Sequence, residues 1–380
     1  MTKQFHKSEE HDMDYMNTSH GKLELDHTDR FSVKLTEDTG DQNWNKELLE
    51  NRFVAYGQSN EYLSYKSLRY QKPLFVYVVD KLGDTVGQIG LVVRKLGYDK
   101  RLFWYQGPAI KERCAQYKSE IFLLMMRTIE KLASHNGVTI IDGYTALGDT
   151  LIDDEFLNMF KQEGFNVTIH FSYAIDLSMD LDALWKDVSK RTRQYIKEAL
   201  REGIEVKMLE NYDQMIEYHQ LGKKWLKHKG FKIRDDGDMV KMSWENHKLG
   251  IDRIFLAYQH DVLVSALKIS VFNGISCASE VINSYNESKI SGKVLTWSAI
   301  KWSKENGCRI YDITGGVKGI NEVKTPKVQK GFVYYKQRWG GQELLYYQLT
   351  KIVDKRKYKI FRIITKMNRI KKSIKNKLIK

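Results

Sequence analysis

LWKDVSKRTRQYIKEALREGIEV, residues 184–206, lies near the middle of the 380-residue chain and separates it into two halves. Its apolar side chains recur at helical spacing until Gly203, and the strand-like IEV follows, so we predict a helix and then a strand. The predicted apolar stripe consists of Val188, Thr192, Tyr195, Ala199 and Leu200. A second face carries Lys190, Arg193, Lys197 and Arg201 and is either a solvated basic face or a surface for phosphate groups.

The two halves repeat one order of predicted elements. Each contains a hairpin and a third strand, then a helix, a glycine stop and another strand. In the first half these elements are residues 74–80, 86–93, 101–108, 116–135 and 138–142; in the second they are 253–258, 262–272, 276–283, 293–305 and 308–313. A repeated order indicates two copies of one α/β module. We place the copies at residues 44–178 and 179–348.

The two ends of the chain carry opposite charge. Residues 1–43 hold ten Asp or Glu and five Lys or Arg, without sustained apolar periodicity, so we expect a largely disordered acidic tail. Residues 351–380 hold thirteen Lys or Arg and one acid, with apolar residues three or four positions apart. We therefore expect a basic amphipathic helix over residues 349–380. Such a helix can lie on an anionic membrane, bind tRNA phosphates or pack on the protein body.

Several functional classes find no support in the sequence. The cysteines, Cys114, Cys277 and Cys308, are few and scattered, as in proteins of a reducing compartment. No uninterrupted apolar run reaches about 18 residues, and the polar start is unlike a signal peptide. We therefore expect a cytoplasmic protein that can bind the inner face of the cell membrane peripherally. The residue spacings match no standard metal motif, P-loop or nucleophile–histidine pair, so we expect neither a metal site nor a permanently bound cofactor.

A lysine in an aromatic surrounding is the main candidate for chemistry. GFVYYKQRWGG, residues 331–341, reads as a strand, and YDITGG, residues 311–316, reads as a strand end followed by a glycine turn. In a regular strand, one face would carry Phe332, Tyr334, Lys336 and Arg338. Such a lysine could direct its ammonium group into a cleft, or it could be a surface lysine whose stem packs on the core.

Three fragments in this order resemble the Fem family, the aminoacyltransferases that build peptidoglycan cross-bridges. They are LWKDVSKRTRQYIKEALREGIEV, the YQGPAI strand end of the first half, and YDITGG followed by YYKQRWGG. The similarity covers roughly residues 44–345. It implies two tandem GNAT-like acyltransferase folds, of mixed α and β structure, with the site in a cleft between them. It also implies attack by an amine on an activated acyl group.

The resemblance implies aminoacyl-tRNA as donor and a lipid-linked or nucleotide-linked envelope precursor as acceptor. Two departures keep an acyl-CoA donor open as the alternative. The segment at about 207–250 is too short for the long helical arm of the archetypal enzymes. Tyr335 also stands where the family usually has Phe. The turn SKISGKVL, residues 288–295, has the single glycine Gly292, so a standard CoA cradle is degraded. A third reading, from another class, is a non-catalytic membrane or nucleic-acid binding protein on this scaffold.

The resemblance also implies roles for individual residues. Lys336 would stabilise the charge that develops at the acyl carbonyl, or the donor's terminal phosphate, with Tyr335 as the adjacent aromatic. Asp312 would orient the amine or act as a base, unless it only anchors the glycine turn. Arg191 and Arg193 would hold an acceptor's phosphates. The remaining substrate-binding candidates are Gln106, Gly107, Glu280, Tyr285, Gly315, Gly316 and Arg338.

Overall fold

The computed structural model describes residues 15–18, 21–38, 41–67, 73–96, 99–231, 238–284, 290–314, 317–318 and 327–378. In the first half the strands are β1 (Tyr15–Thr18), β2 (Gly21–Glu24), β3 (Phe31–Thr36), β4 (Pro73–Asp80), β5 (Thr85–Leu96), β6 (Asp99–Trp104), β7 (Ala109–Ile110), β8 (Ile140–Tyr144) and β9 (Asn166–Asp176). The helices are α1 (Gln42–Leu48), α2 (Asn60–Ser67), α3 (Lys118–His135) and α4 (Asp154–Gln162). Short 3-10 turns cover Tyr56–Gln58 and Glu112–Tyr117.

The second half begins with the helices of the central stretch. Its helices are α5 (Leu181–Asp187), α6 (Lys190–Arg201), α7 (Tyr212–His228), α8 (Asp238–Lys248), α9 (Ser291–Glu305), α10 (Lys327–Gln337) and α11 (Lys355–Leu378). Its strands are β10 (Ile204–Met208), β11 (Asp252–Gln259), β12 (Val262–Phe272), β13 (Ile275–Asn283), β14 (Ile310–Asp312), β15 (Val317–Lys318) and β16 (Gln342–Ile352). The segment between β10 and β11, where the sequence indicated no long helical arm, folds into the pair α7 and α8.

The predicted repeat is present, and its last strands are exchanged. In each module a three-stranded antiparallel meander, β4–β5–β6 or β11–β12–β13, is followed by a helix, α3 or α9. The next strand, β8 or β14, pairs parallel to the third strand of its own meander. A second helix, α4 or α10, then leads to a long strand, β9 or β16. These long strands cross over, because β9 pairs with β14 and β16 pairs with β8.

The exchanged strands join both modules into one mixed sheet. Nine residue pairs, from Gln342 with Ala174 to Thr350 with Asn166, connect β9 and β16 antiparallel. The resulting strand order is β10-β11-β12-β13-β14-β9-β16-β8-β6-β5-β4-β3. Backbone hydrogen bonding therefore continues through the junction, so the two modules cannot separate there without losing this pairing.

Helices on both faces explain the continuous apolar run of β4. Leu74, Val76 and Val78 pack into the core beneath α3, while Phe75, Tyr77 and Val79 pack into a second core beside α1 and α2. Strands covered on both faces lose the polar alternation of half-exposed strands. In the second module α9 plays the part of α3 and buries Val294, Leu295, Ala299 and Ile300 against the sheet.

Three expectations from the sequence are corrected. The acidic tail includes an ordered strand, β3, whose Phe31 and Val33 lie in the core opposite β4, because their alternation was too short to stand out. The central helix is two helices, since Val188 is extended and the Ser189 side chain caps α6 by accepting from Thr192 N–H. In α6 the buried residues are Thr192, Ile196 and Ala199, whereas Leu200 is 55 % exposed.

A further correction concerns Lys336. Its segment is the helix α10 and not a strand, so Tyr334 and Lys336 do not share a face: Tyr334 is 59 % exposed and Lys336 is 3 % exposed. The buried side chains of Val333, Lys336 and Trp339 are three residues apart, which is a helical spacing. The aromatic content favoured a strand because aromatic residues are common in strands, but packing overrides that weak preference.

Candidate active site

A polar pocket lies where the two modules meet. Its volume, including space open to solvent, is about 320 Å³, and it is lined by Tyr105, Gln106, Thr145, Leu147, Ser172, Asp312, Thr314 and Tyr346. The first four follow the carboxyl ends of β6 and β8, and Asp312 ends β14. Residues from both modules and from the exchanged strands therefore converge on one small site.

Asp312 is the buried charge of this pocket. Its Oδ1 accepts a 2.8 Å hydrogen bond from Ser172 Oγ and a 2.7 Å hydrogen bond from Thr314 N–H. Burial raises the pKa of the carboxyl, while the two hydrogen bonds and the Lys336 ammonium oppose that rise. The bond from Thr314 agrees with a turn-anchoring role, and the position on the pocket wall is compatible with a role in proton transfer.

Lys336 lies close enough to Asp312 for the two charges to affect each other. Burial lowers the pKa of the Lys336 ammonium to about 8, although the Asp312 carboxylate acts in the opposite direction. The lysine is in the last turn of α10, where the helix dipole favours a cation. The group is thus mostly protonated at neutral pH but can release a proton at little cost.

Two glycines after α10 allow the backbone to hold Lys336 in place. Gly340 has φ 79°, and a Cβ built there would lie 2.6 Å from Cβ of Asp187. A Cβ on Gly341 would lie 2.9 Å from the carbonyl oxygen of Ala174 in β9. Only glycine fits both close approaches. The end of α10 is therefore pressed against α5 and β9, which fixes the position of the lysine.

Tyr335 points away from the Asp312 pocket, towards helix α9. Its hydroxyl is 3.3 Å from Thr296 Oγ1, and its ring meets Trp339 edge-on with centroids 6.1 Å apart. The adjacent aromatic named from the sequence thus packs between α9 and α10, on a different side of the helix from Lys336.

A cluster of cations surrounds the start of α9. The Lys293 ammonium lies 4.9 Å from the centre of the Tyr195 ring, and the Arg191 guanidinium lies 5.4 Å from the same centre. Arg338 stacks at 4.0 Å on Tyr334. Burial lowers the pKa of Lys293, and the nearby charges of Arg338 and Arg191 lower it further. The first turn of α9 has no acidic residue and no side-chain cap, so the charge at this helix start is positive and suits an anion.

Arg193 binds the end of α5 and is not part of the cation cluster at the start of α9. Its Nη1 donates to the carbonyl oxygens of Trp185 at 3.2 Å and Lys186 at 3.1 Å, at the end of α5. These bonds satisfy helix carbonyls that would otherwise lack partners. The structure therefore separates the two arginines: Arg191 joins the cation cluster, and Arg193 braces α5 against α6.

Gln106 links the modules at the pocket. Its Oε1 accepts from Gly57 N–H at 2.8 Å in the first module, and its Nε2 lies 3.8 Å from Sγ of Cys277 in the second. Gly107 packs behind it, where a Cβ would lie 2.8 Å from the Gln58 side chain. Gln106 is thus a lining residue, while Gly107 provides the close approach that positions it.

A second and larger pocket, about 580 Å³ including space open to solvent, was not expected from the sequence. It is lined by Tyr56, Tyr62, Tyr65, Lys66, Asn246, Ile251, Asp252, Lys268, Ser270 and Ser279. The Lys268 ammonium lies 3.9 Å from Asp252 Oδ2 and 3.8 Å from Glu280 Oε2, and Glu280 also accepts from the Tyr218 hydroxyl. The predicted residue Glu280 therefore belongs to the ion network beside this pocket.

Aromatic rings connect the two pockets. Tyr56 of the larger pocket meets Tyr105 of the Asp312 pocket edge-on at 6.0 Å, and Tyr105 meets Tyr144 at 5.9 Å. Sequence reasoning missed these residues because they are more than 120 positions away from Lys268 and Asp312. The one property that these residues share in the sequence is that each is a tyrosine.

Three predicted residues, Tyr285, Gly315 and Gly316, lie outside the described residues. Among the described residues, no three His, Cys, Asp or Glu side chains are grouped as a metal would require. None of the helices in the described part of the chain combines the length and apolar content needed to span a bilayer.

Comparison with known proteins gives matches by structure only. No protein-family model and no curated protein matches the sequence. The crystal structure of FemX matches with a TM-score of 0.67 at 13 % identity, over 86 % of this chain and 99 % of that one. The structure of L-PGS from Bacillus licheniformis matches with a TM-score of 0.53 at 14 % identity, over 83 % and 92 %. A tandem GNAT protein from the clavulanic acid biosynthesis pathway matches with a TM-score of 0.52 at 11 % identity, over 85 % and 99 %. The expected architecture is thus confirmed: the chain has a Fem-like tandem GNAT fold.

Proposed function

We propose that the protein transfers an aminoacyl group from aminoacyl-tRNA to an amine of a cell-wall or other envelope precursor. The observation that carries the proposal is the buried Asp312 on the wall of a pocket between two GNAT-like modules, with the buried Lys336 ammonium near enough to affect the pKa of its carboxyl. Similarity of fold to FemX and to L-PGS supports the same class of reaction.

The Asp312–Lys336 pair supplies both proton movements that aminolysis of an ester requires. The acceptor amine attacks the acyl carbonyl and loses a proton to the Asp312 carboxylate, whose raised pKa makes it a better base. Lys336 stabilises the oxyanion of the tetrahedral intermediate. The ester C–O bond then breaks, and the ribose hydroxyl leaves with a proton from the Lys336 ammonium. A proton passing from Asp312 to Lys336 restores the starting state.

The cation cluster at the start of α9 is the proposed binding site for the donor's phosphates. Arg191, Lys293 and Arg338 surround N–H groups that no side chain caps. Phosphate binding there would relieve the mutual repulsion of the three cations. The cluster is on the second module, which also contains Asp312 and Lys336, and its Arg338 is two residues beyond Lys336 in the chain.

The larger pocket is the proposed site for the distal part of the acceptor. It combines tyrosine rings, the two lysines Lys66 and Lys268, and the carboxylate of Asp252. Such a lining suits a polar, elongated molecule, and the aromatic contacts from Tyr56 to Tyr105 lead towards Asp312. A lipid-linked or nucleotide-linked precursor has this shape, with its amine far from its carrier group.

The direct test measures transfer of label to the precursor. It combines the purified protein with tRNA that carries labelled amino acids and with an extract of envelope precursors. We expect amide-linked label in the precursor with the unaltered protein and not with Lys336→Met. Mass spectrometry of precursors from a deletion strain should show the loss of one residue-sized mass. Transfer that is equally fast with Lys336→Met, or precursors of unchanged mass, would contradict the proposal.

An N-acyltransferase that uses acyl-CoA is the second candidate. It is favoured by the cations at the start of α9, because CoA also carries a pyrophosphate. Acyl-CoA would then raise the melting temperature of the unaltered protein but not of Lys293→Ala. The single glycine of the turn before α9 and the resemblance to the Fem family support the aminoacyl donor instead.

A further inference from the structure

Helix α11 is attached to the body of the protein at its start. The Asp354 side chain caps it by accepting from the N–H groups of Arg356 at 3.0 Å and Lys357 at 2.9 Å. The preceding Val353 N–H donates to the Thr139 carbonyl at 3.0 Å, which attaches the helix to the edge of β8. The helix is therefore displayed in a defined direction.

An apolar stripe on α11 faces solvent. Ile360, Ile363 and Met367 are 57 %, 59 % and 52 % exposed and stand at helical spacing. Tyr358 and Phe361, on another side of the helix, are half-buried. Packing on the body therefore accounts for one side of α11 and leaves the Ile360 side uncovered.

The surroundings of this stripe are strongly cationic. Residues 355–378 contain eleven Lys or Arg and no Asp or Glu. Two lysines from the β5–β6 hairpin, Lys95 and Lys100, add to the same field, since the pKa of Lys100 is lowered by burial and by the charges of Lys95 and Lys357. Elements from different parts of the chain thus bring positive charge to the first turn of the helix that carries the exposed apolar stripe.

We propose that α11, Lys95 and Lys100 form a docking surface for an anionic lipid bilayer, with Ile360, Ile363 and Met367 inserted at the headgroup boundary. Exposed aliphatic side chains beside cations match a surface that is apolar inside and negatively charged outside. A second copy of the same surface would be repelled by the like charges. An RNA would neutralise the cations but leave the aliphatic stripe in water.

The docking surface is at the opposite end of two strands from the Asp312 pocket. Lys100 is the second residue of β6, whereas Tyr105 and Gln106 of the pocket follow its last residue, and β8 runs parallel beside it. Five residues of strand separate the two ends by about 17 Å. Membrane docking through α11 therefore leaves the pocket accessible to a large soluble donor.

Vesicle sedimentation of the full-length protein tests the proposal without any substrate. We expect binding to phosphatidylcholine vesicles that contain phosphatidylglycerol, little binding to pure phosphatidylcholine, and weaker binding at high salt. Ile360→Ser/Ile363→Ser should weaken binding at least about tenfold, because two aliphatic side chains no longer leave water. Leu82→Ser/Leu249→Ser removes two other exposed leucines, 88 % and 56 % exposed, and should leave binding unchanged.

Variants with reversed charge test the electrostatic part of the proposed membrane binding. Lys359→Glu/Arg362→Glu on α11 should weaken binding, and Lys224→Glu/Lys227→Glu on α7 should have a much smaller effect, with melting temperatures confirming that all variants fold. Equal binding to neutral and anionic vesicles would overturn the proposal. Unchanged binding of the isoleucine variant, together with displacement of the vesicles by tRNA, would identify an RNA surface instead. Neither result bears on the acyl-transfer proposal, which the tRNA assay tests separately.

Discussion

The two modules share one order of elements, but their first long helices begin in opposite electrostatic surroundings. In the first module Glu120 lies in the first turn of α3 and accepts hydrogen bonds from Thr28 Oγ1 at 2.6 Å and Arg30 Nη1 at 3.2 Å. In the second, the start of α9 has no acid and is surrounded by Arg191, Lys293 and Arg338. The first module thus places a carboxylate at this helix start, and the second places cations there, which we propose bind a phosphate of the donor.

The second helices of the two modules, α4 and α10, also differ in the charge that they bury. Helix α4 buries Phe156, Leu157 and Phe160, all apolar. Helix α10 buries Lys336 together with Val333. The buried ammonium of α10 has no counterpart in α4, and its burial is a cost to stability. The first module also buries an ammonium, that of Lys111, but pairs it with the carboxylates of Glu47 and Glu50. The contrast between α4 and α10 supports the proposal that the second module carries the reacting lysine while the first supports it.

The largest expected effect comes from removing the buried cation. Lys336→Met should lower kcat/KM by about a hundredfold or more, because oxyanion stabilisation of this size is lost. The melting temperature should stay the same or rise, since a desolvated charge is replaced by an apolar side chain. Lys161→Met, on the exposed side of α4, is the matched control and should alter neither quantity. A large loss of stability in Lys336→Met would show that the lysine is structural.

The glycines that follow α4 and α10 sharpen the comparison. Gly164 and Gly340 have φ 80° and 79°, but a Cβ on Gly164 would come no closer than 3.6 Å to Lys351, against 2.6 Å to Asp187 for Gly340. Gly164→Ala should cost about 1 kcal/mol of unfolding free energy from the left-handed backbone alone. Gly340→Ala should cost about 3 kcal/mol, because the backbone must also shift. Equal losses in denaturant titrations would mean that α10 is not pressed against α5 as described.

Removing two cations at the start of α9 should affect donor binding. Arg191→Ala/Lys293→Ala should raise the KM for the donor by about tenfold or more, with a smaller change in kcat, as charge-assisted contacts to phosphate are lost. The salt dependence of KM should weaken in parallel. Glu120→Gln at the matching helix start of the first module should leave KM unchanged. An increase in the KM for the acceptor alone would show that these cations do not bind the donor's phosphates.

The pH dependence should report Lys336. Its pKa is about 8 in the fold against an ordinary 10.5, so kcat/KM should decline by about half near pH 8 as the ammonium deprotonates. Between those two values the unfolded chain binds the extra proton, so this group makes the free energy of unfolding rise with pH across that window. Lys336→Arg should move the decline to higher pH. A profile that is flat up to pH 10 would exclude a role for the lysine's proton.

Much of the scaffold was predictable because it depends on local patterns. The meander strands, α3, α9 and the glycine stops after the helices were read from apolar spacing and turn residues, and the structure has them within a few residues. The prediction of a strand around Lys336 was wrong. Tyr and Val in a short run favour a strand, but packing can override that preference. Strand β3 was missed because six residues are too few for a clear alternation.

The site was only partly predictable. Asp312, Lys336 and Gln106 were named from the sequence; the structure places Asp312 and Gln106 on the wall of one pocket and Lys336 near enough to affect the pKa of Asp312. Lys268, Ser172 and the tyrosines around Tyr56 were not, because each is an ordinary strand or helix residue until a distant segment is placed beside it.

By itself, the sequence determined that the chain repeats an α/β module, that Lys336 sits next to aromatic residues, and that the last thirty residues are basic and amphipathic. These properties follow from spacing and composition, which act over a few turns of helix or strand. Only the tertiary structure decided that β9 and β16 are exchanged, that Lys336 is buried near Asp312, and that Ile360 and Ile363 remain in solvent. Such facts depend on which distant surfaces exclude water from one another, and no local pattern contains that information.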